Sequence, residues 1–122
     1  MKRISFLFLV VLITSNAHAQ YQNTSWKGIY KIPDPTEMVL QFKQDTLLLN
    51  YFEDGSNAET MNYEMKGDTL TMTKISGISP CDGIKGIYKL SIKDDKLFMT
   101  LIEDSCDARA TSMPVEPLEK LH

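Results

Sequence analysis

Three short reversals of nearly the same composition divide this chain into alternating segments. They are Lys43-Gln44-Asp45-Thr46-Leu47, Lys66-Gly67-Asp68-Thr69-Leu70 and Lys93-Asp94-Asp95-Lys96-Leu97. Each lies between two runs of alternating apolar and polar residues, and each leads into Leu-x-Leu or Leu-x-Met. A polar reversal between two period-2 runs is the mark of a β-hairpin. Three of them, with longer connections between, describe a meander whose tight turns all fall at one end.

Period-2 patterning gives eight candidate strands: Ser25–Ile32, Glu37–Lys43, Thr46–Phe52, Glu59–Lys66, Thr69–Ile75, Ile84–Ile92, Lys96–Glu103 and Cys106–Met113. Met38, Leu40 and Phe42 share one face; Met61, Tyr63 and Met65 share another, with Asn62 and Glu64 opposite. No stretch after the first segment has a helical period, and the tail Pro114–His122 fits either one turn of helix or a last short strand. An open antiparallel sheet of this length exposes two edges, and closure removes them. Eight strands closing in sequence order form an up-and-down barrel, which holds side chains or one small ligand. A two-sheet sandwich is the competitor, but connections this uniformly short do not suggest Greek-key crossovers. The expected fold is therefore an all-β, eight-stranded antiparallel barrel. The connections Pro33–Thr36, Glu53–Ala58 and Ser76–Gly83 are longer, rich in turn-forming residues, and gather at the end opposite the tight turns, around a mouth.

The first 19 residues read as an export signal rather than as part of the domain. Lys2 and Arg3 precede an apolar run from Ile4 to Ile13, and Ala17-His18-Ala19 supplies a small-x-small cleavage site. That run is about half the ~20 residues a membrane helix needs, so no membrane span is expected. Residues 20–122 then form one domain of about 100 residues, periplasmic or secreted. Loss of Lys2 and Arg3 deepens the net charge from −3 to about −5, with no basic cluster. Nucleic-acid binding needs many phosphate-neutralising cations and is not expected. In an oxidising compartment Cys81 and Cys106 are expected to pair, closing a loop of about 25 residues. Paired metal or redox thiols would call for closer spacing, such as Cys-x-x-Cys.

Several short motifs follow in order along the second half. They read Cys81-Asp-Gly83, Gly86-Ile-Tyr88, Asp95-Lys-Leu97 and Asp104-Ser-Cys106-Asp-Ala-Arg109, after an opening Trp26-Lys27-Gly28-Ile29-Tyr30. This order resembles that of small exported bacterial lipocalin-like proteins. The tail departs from it, because Pro114–His122 lacks the aromatic residue with which such chains often end. The resemblance implies a calycin-type barrel in which a first-strand Trp packs against a basic residue of the last strand. Trp26 and Arg109 match those two positions, as structural residues sealing the barrel floor.

Catalytic chemistry finds little support in the composition. After the export segment the one histidine is His122, so no Ser-His or Cys-His pair and no histidine metal site can be assembled. Glu103 with Asp104 or Asp107 is a conceivable acid pair, but 16 acids scattered over turns make such neighbours common. Asp54-Gly55-Ser56-Asn57 lacks calcium-loop spacing and reads as a turn. No cofactor, catalytic residue or metal ligand is expected. Methionines and tyrosines on the expected inner faces instead suggest a pocket for a small apolar molecule, lined by Tyr30, Met38, Tyr51, Met61, Tyr63, Met72, Tyr88 and Leu101. The alternative is an envelope protein-interaction or inhibitor module with a filled barrel. Its contacts would be Leu48, Phe52, Phe98 and Ile102, which the alternation turns outward. Interior volume discriminates between the two.

Overall fold

Alternation in the sequence becomes alternating burial along the strands of the computed structural model, which describes residues 17–121. The strands are β1 (Thr24–Lys31), β2 (Pro35–Phe42), β3 (Thr46–Tyr51), β4 (Asn57–Lys66), β5 (Thr69–Gly77), β6 (Lys85–Lys93), β7 (Lys96–Asp104) and β8 (Leu118–Leu121). Each pairs antiparallel with the next, and β8 returns to β1, so the sheet is a closed eight-stranded up-and-down barrel. The first seven lie within two residues of the expected spans. Most of the export segment read at 1–19 lies outside the described residues. Its last positions join a short helix, α1 (Ala17–Tyr21).

The tight turns form as their residues dictate. Asp94 and Asp95 both take positive φ, 53° and 57°, the two-residue reversal that matches strand twist. In the 66–69 turn Gly67 carries the positive φ, 59°. In the first, the ladder extends one step beyond the strand, with Lys43 N donating to Thr46 O at 2.8 Å. All three lie at one end, here called the floor.

The eighth strand is where the expectation fails. Cys106–Met113 is not a strand: Asp107–Ser112 is a helix, α2, and β8 comes from the uncommitted tail. The physical reason is local. Ala108, Arg109 and Ala110 are strong helix formers, Asp107 in the first turn complements the helix dipole, and Pro114 stops the run. Because β8 is only four residues long, it reaches only the floor half of its neighbours. It pairs with Ser25–Lys27 of β1 and with Lys96 and Leu97 of β7. Above that level α2, which contacts both β7 and β1, occupies the seam between them.

The floor half is packed solid. Trp26, Phe42, Leu47, Leu70, Leu90, Leu97 and Leu118 are all fully buried. Tyr21, delivered by α1, packs on Phe42 with ring centroids 5.4 Å apart, and Phe42 meets Tyr63 edge-on at the same distance. Gly28 is required where the closing strand arrives, since a Cβ there would stand 1.9 Å from Leu118 Cδ2. Register shifts interrupt the β3–β4, β4–β5 and β6–β7 pairings at Leu49/Asn50, Thr60/Met61 and Ile87/Tyr88, the kind of irregularity that bends a strand.

Cys81 and Cys106 form a disulfide, with Cα atoms 5.6 Å apart. It joins the 78–84 loop to the residue preceding α2. Both cysteines thus lie at the mouth, as expected, although the element that Cys106 opens is a helix.

Candidate functional site

Above the packed floor the barrel holds a cavity of about 520 Å³. Its lower wall is Leu40, Leu49, Met61 and Met72, contributed by β2, β3, β4 and β5. Tyr30 at the top of β1, Met99 of β7 and the 78–80 loop complete the sides, and Ala108, Arg109, Thr111 and Ser112 of α2 lie over one flank. The barrel is therefore filled below and hollow above. Position along a strand does not decide this alone: in β2 Leu40 lines the cavity, whereas Met38, two residues nearer the mouth, is buried in the packed core.

Two polar networks hold the mouth. In the first, Arg109 donates to both oxygens of Asp104, from Nε to Oδ2 at 2.6 Å and from Nη2 to Oδ1 at 2.8 Å. Nη2 also donates to Ile84 O at 2.9 Å, tying α2 to the start of β6. The Tyr88 hydroxyl donates to Asp104 Oδ2 at 2.5 Å, and Cys106 N to Oδ1 at 3.0 Å. The Asp104 side chain is wholly buried and that of Arg109 is 6% exposed. Burial alone would push Asp104 upward, but the hydrogen bonds from Arg109, Tyr88 and Cys106 N outweigh it and hold the carboxyl below its usual range. Burial likewise opposes the Arg109 charge, and Asp104 more than restores it. With both oxygens doubly occupied and the acid ionised, Asp104 is a structural anion, not one of an acid pair. Gly86 makes this approach feasible, because a Cβ there would lie 2.7 Å from Asp104 Oδ2 and 2.9 Å from Arg109 Nε.

In the second network the buried Glu59 accepts from Ser79 N at 3.2 Å and from Ser79 Oγ, folding the 78–80 loop over the rim. The Lys74 side chain, only 5% exposed, donates from Nζ to Ser79 O and pairs with Asp82 at 2.9 Å, fastening the same loop. Asp54, at the far side of the mouth, makes a plain turn: its Oδ1 accepts from Ser56 N at 2.9 Å and Ser56 Oγ at 2.7 Å.

The eight expected pocket residues separate under this geometry. Tyr30, Met61 and Met72 line the cavity. Met38 and Tyr63 are buried in packed core, where the Tyr63 hydroxyl donates to Lys43 O at 2.5 Å at the floor. Tyr51 is half-buried against the core, and Tyr88 is committed to Asp104. Leu101 corrects the expectation most sharply. It is 51% exposed, on the upper part of β7, where β8 does not reach and, among the described residues, α2 rather than a strand lies alongside. Arg109 is also corrected. It sits at the mouth with Asp104, while Trp26 lies at the floor with its Nε1 donating to Thr24 Oγ1 at 2.9 Å. On the closing strand the residue opposite Trp26 is Lys120. The pairing with Arg109 fails because α2, not the last strand, carries that residue.

Sequence reasoning missed Leu40, Leu49, Met99 and Glu59 as wall residues, and Asp104–Arg109 as a buried pair. Leu40 and Met99 stood on inward faces and were legible in principle. Glu59 and the ion pair were not, because each depends on a partner about 20 or 5 residues away that only the fold brings into contact. No family model, curated protein or solved structure matches this chain.

Proposed function

We propose that this is an exported, non-enzymatic lipocalin-like protein that binds a small, largely apolar molecule in the cavity at the barrel mouth. The observation that carries this reading is the hollow upper half: a space of about 520 Å³, within the range of small-molecule sites, walled by Leu and Met side chains. Thioethers adapt to irregular apolar shapes, and Met61, Met72 and Met99 give the wall that plasticity. Export is supported by the Cys81–Cys106 disulfide. No helix among the described residues is long and apolar enough to cross a membrane. The closed barrel is compatible with the lipocalin-like order of motifs, whose Cys81, Gly86, Tyr88, Asp104, Cys106 and Arg109 meet around one corner of the mouth.

Native mass spectrometry of protein purified from its own host, with uptake of a neutral fluorescent dye such as N-phenyl-1-naphthylamine, tests the proposal. Ala58 is buried in the cavity wall, and Ala58→Phe is expected to abolish dye uptake while the fold persists. Dye bound equally by wild type and Ala58→Phe would place binding elsewhere and end this reading.

A second reading, an envelope protein-interaction module, is favoured by the apolar surface along the upper part of β7. Among the described residues the upper part of β7 is flanked by α2 rather than by a strand, and Phe98, Leu101 and Ile102 are exposed on β7, an apolar surface that a partner could cover. Of the outward residues expected for this role, Leu48 is half-buried, and Phe52 carries the Lys27 ammonium 3.8 Å from its ring centre. In-envelope crosslinking through position 102 that returned no specific neighbour would count against it.

A further inference from the structure

Four of the chain's seven methionines, Met61, Met72, Met99 and Met113, line the cavity. They come from separate places in the fold: β4, β5, β7 and the residue that caps the C-terminal end of α2. Burial divides them. Met61 and Met72 are buried, whereas Met99 and Met113 are only partly buried where they pack against the core. Met113 also borders a second space of about 380 Å³ along the outside of β1, so it is approached from outside the barrel as well. We propose that Met99 and Met113 are oxidant-modification sites: a peroxide converts their thioethers to sulfoxides, and the cavity then gives up its apolar ligand. The inference rests on the cavity reading above and adds a chemical control of that same site.

Both cysteines of the chain are already joined as a disulfide, so no thiol competes and the thioethers are the oxidisable sulfur. In the step, the thioether sulfur attacks one oxygen of hydrogen peroxide. The S–O bond forms, the O–O bond breaks, and after proton transfer the other oxygen leaves as water. Sulfur is oxidised and the peroxide reduced, two electrons each. The product is a polar side chain in place of a flexible apolar one. The lower wall of the cavity is Leu40, Leu49, Met61 and Met72, whose side chains offer a sulfoxide oxygen no donor. In the empty cavity water solvates that oxygen. A bound apolar ligand strips the water away and leaves the oxygen unpaired, at a cost the empty state does not carry. Oxidation therefore opposes the bound state more than the free one. Met65 is the internal control: it too is partly buried, but it lies beside the 66–69 turn at the floor, away from the cavity wall.

The test treats the full disulfide-bonded protein with hydrogen peroxide and removes the excess with catalase. Sulfoxides are then mapped by peptide mass spectrometry, and affinity for N-phenyl-1-naphthylamine is measured. Met99 and Met113 are expected to gain oxygen before Met61 and Met72, and dye affinity to fall roughly fivefold or more. The folded emission of Trp26, buried in the floor, should persist. Met99→Leu combined with Met113→Leu keeps apolar volume and is expected to bind dye equally before and after treatment. Should that pair fail to fold, the two single variants replace it, each expected to blunt the loss. Met65→Leu should lose dye as the wild type does. No sulfoxide at either position, or undiminished affinity with both oxidised, would overturn the proposal. So would an equal loss in the leucine variants, protection by Met65→Leu, or a loss seen only together with the folded Trp26 signal. Each of these leaves the cavity reading standing. Failure of the untreated protein to take up dye would sink both readings.

Discussion

Replacing Arg109 by Met should be the most damaging single change at the mouth, and its cost should depend on pH in a defined direction. The substitution keeps an unbranched apolar stem but removes three hydrogen bonds, two of them to Asp104 and one to Ile84 O. It leaves a carboxylate with no exposed surface facing only the Tyr88 hydroxyl and Cys106 N. Breaking a buried ion pair by removing one member typically costs about 3–5 kcal/mol. Because Asp104 keeps two donors, the lower end, about 3 kcal/mol, is expected. Stability of small domains is only about 5–15 kcal/mol, so this is a large share. Urea unfolding followed by fluorescence of the single tryptophan, Trp26, buried in the floor, reads it directly. At an m-value of about 1–2 kcal/mol/M the midpoint should fall by roughly 1.5–3 M.

The pH sign follows from Asp104. In the wild type its folded pKa lies below the unfolded one, so its contribution is present above about pH 4 and lost as the pH falls through the folded value. In Arg109→Met burial, the largest influence on this group, is no longer outweighed, and the folded pKa rises above the unfolded one. The variant then loses stability as the pH rises through that range. Its deficit should be full at pH 7 and shrink as the pH falls below about 4. Arg109→Met combined with Asp104→Asn should recover part of the loss at pH 7, since the buried charge is gone. A deficit under about 0.5 kcal/mol, or one of equal size at pH 7 and below about pH 4, would refute the assigned role of the pair.

Three further outcomes test the frame around the cavity. Gly28→Ala should destabilise by about 1–2 kcal/mol and speed amide exchange along Glu119–Leu121, because its Cβ must displace Leu118 in a packed core; unchanged exchange would mean that β8 does not seal the barrel there. Removing the disulfide by Cys81→Ser with Cys106→Ser should cost about 3.5 kcal/mol by loop closure. A loss below about 1 kcal/mol would assign the anchoring of α2 chiefly to Arg109. At alkaline pH, Tyr30 and Tyr88 should keep their protons well past pH 10, since burial raises both and the bond to Asp104 raises Tyr88 further. Stability should be level below the unfolded phenol value and decline above it, with these two of the five tyrosines ionising only on unfolding. Phenolate absorbance rising smoothly for all five before the unfolding transition would contradict their burial.

Seven strands, the three tight turns and the position of both cysteines at one rim were legible because they depend on local chemistry. Period-2 alternation separates inside from outside wherever one face is buried. Asp94-Asp95 and Gly67 accept the positive φ that their turns demand. The eighth strand was misplaced because Cys106–Met113 is too short for its period to separate strand from helix. Ala108, Arg109, Ala110 and the Pro114 stop were the available signal.

Inward-facing residues could be named from sequence, but not which of them line space. Met38 and Met61 look alike in their strands, yet one is packed solid and the other borders the cavity. That difference is not one of height, since Met38 lies nearer the mouth end of its strand; it comes from which neighbours the closed barrel packs against each. Alternation is a property of adjacent residues and survives in one dimension. Vacancy and buried hydrogen bonds such as that of Ser79 to Glu59 exist only once segments far apart in the chain have closed around a common axis.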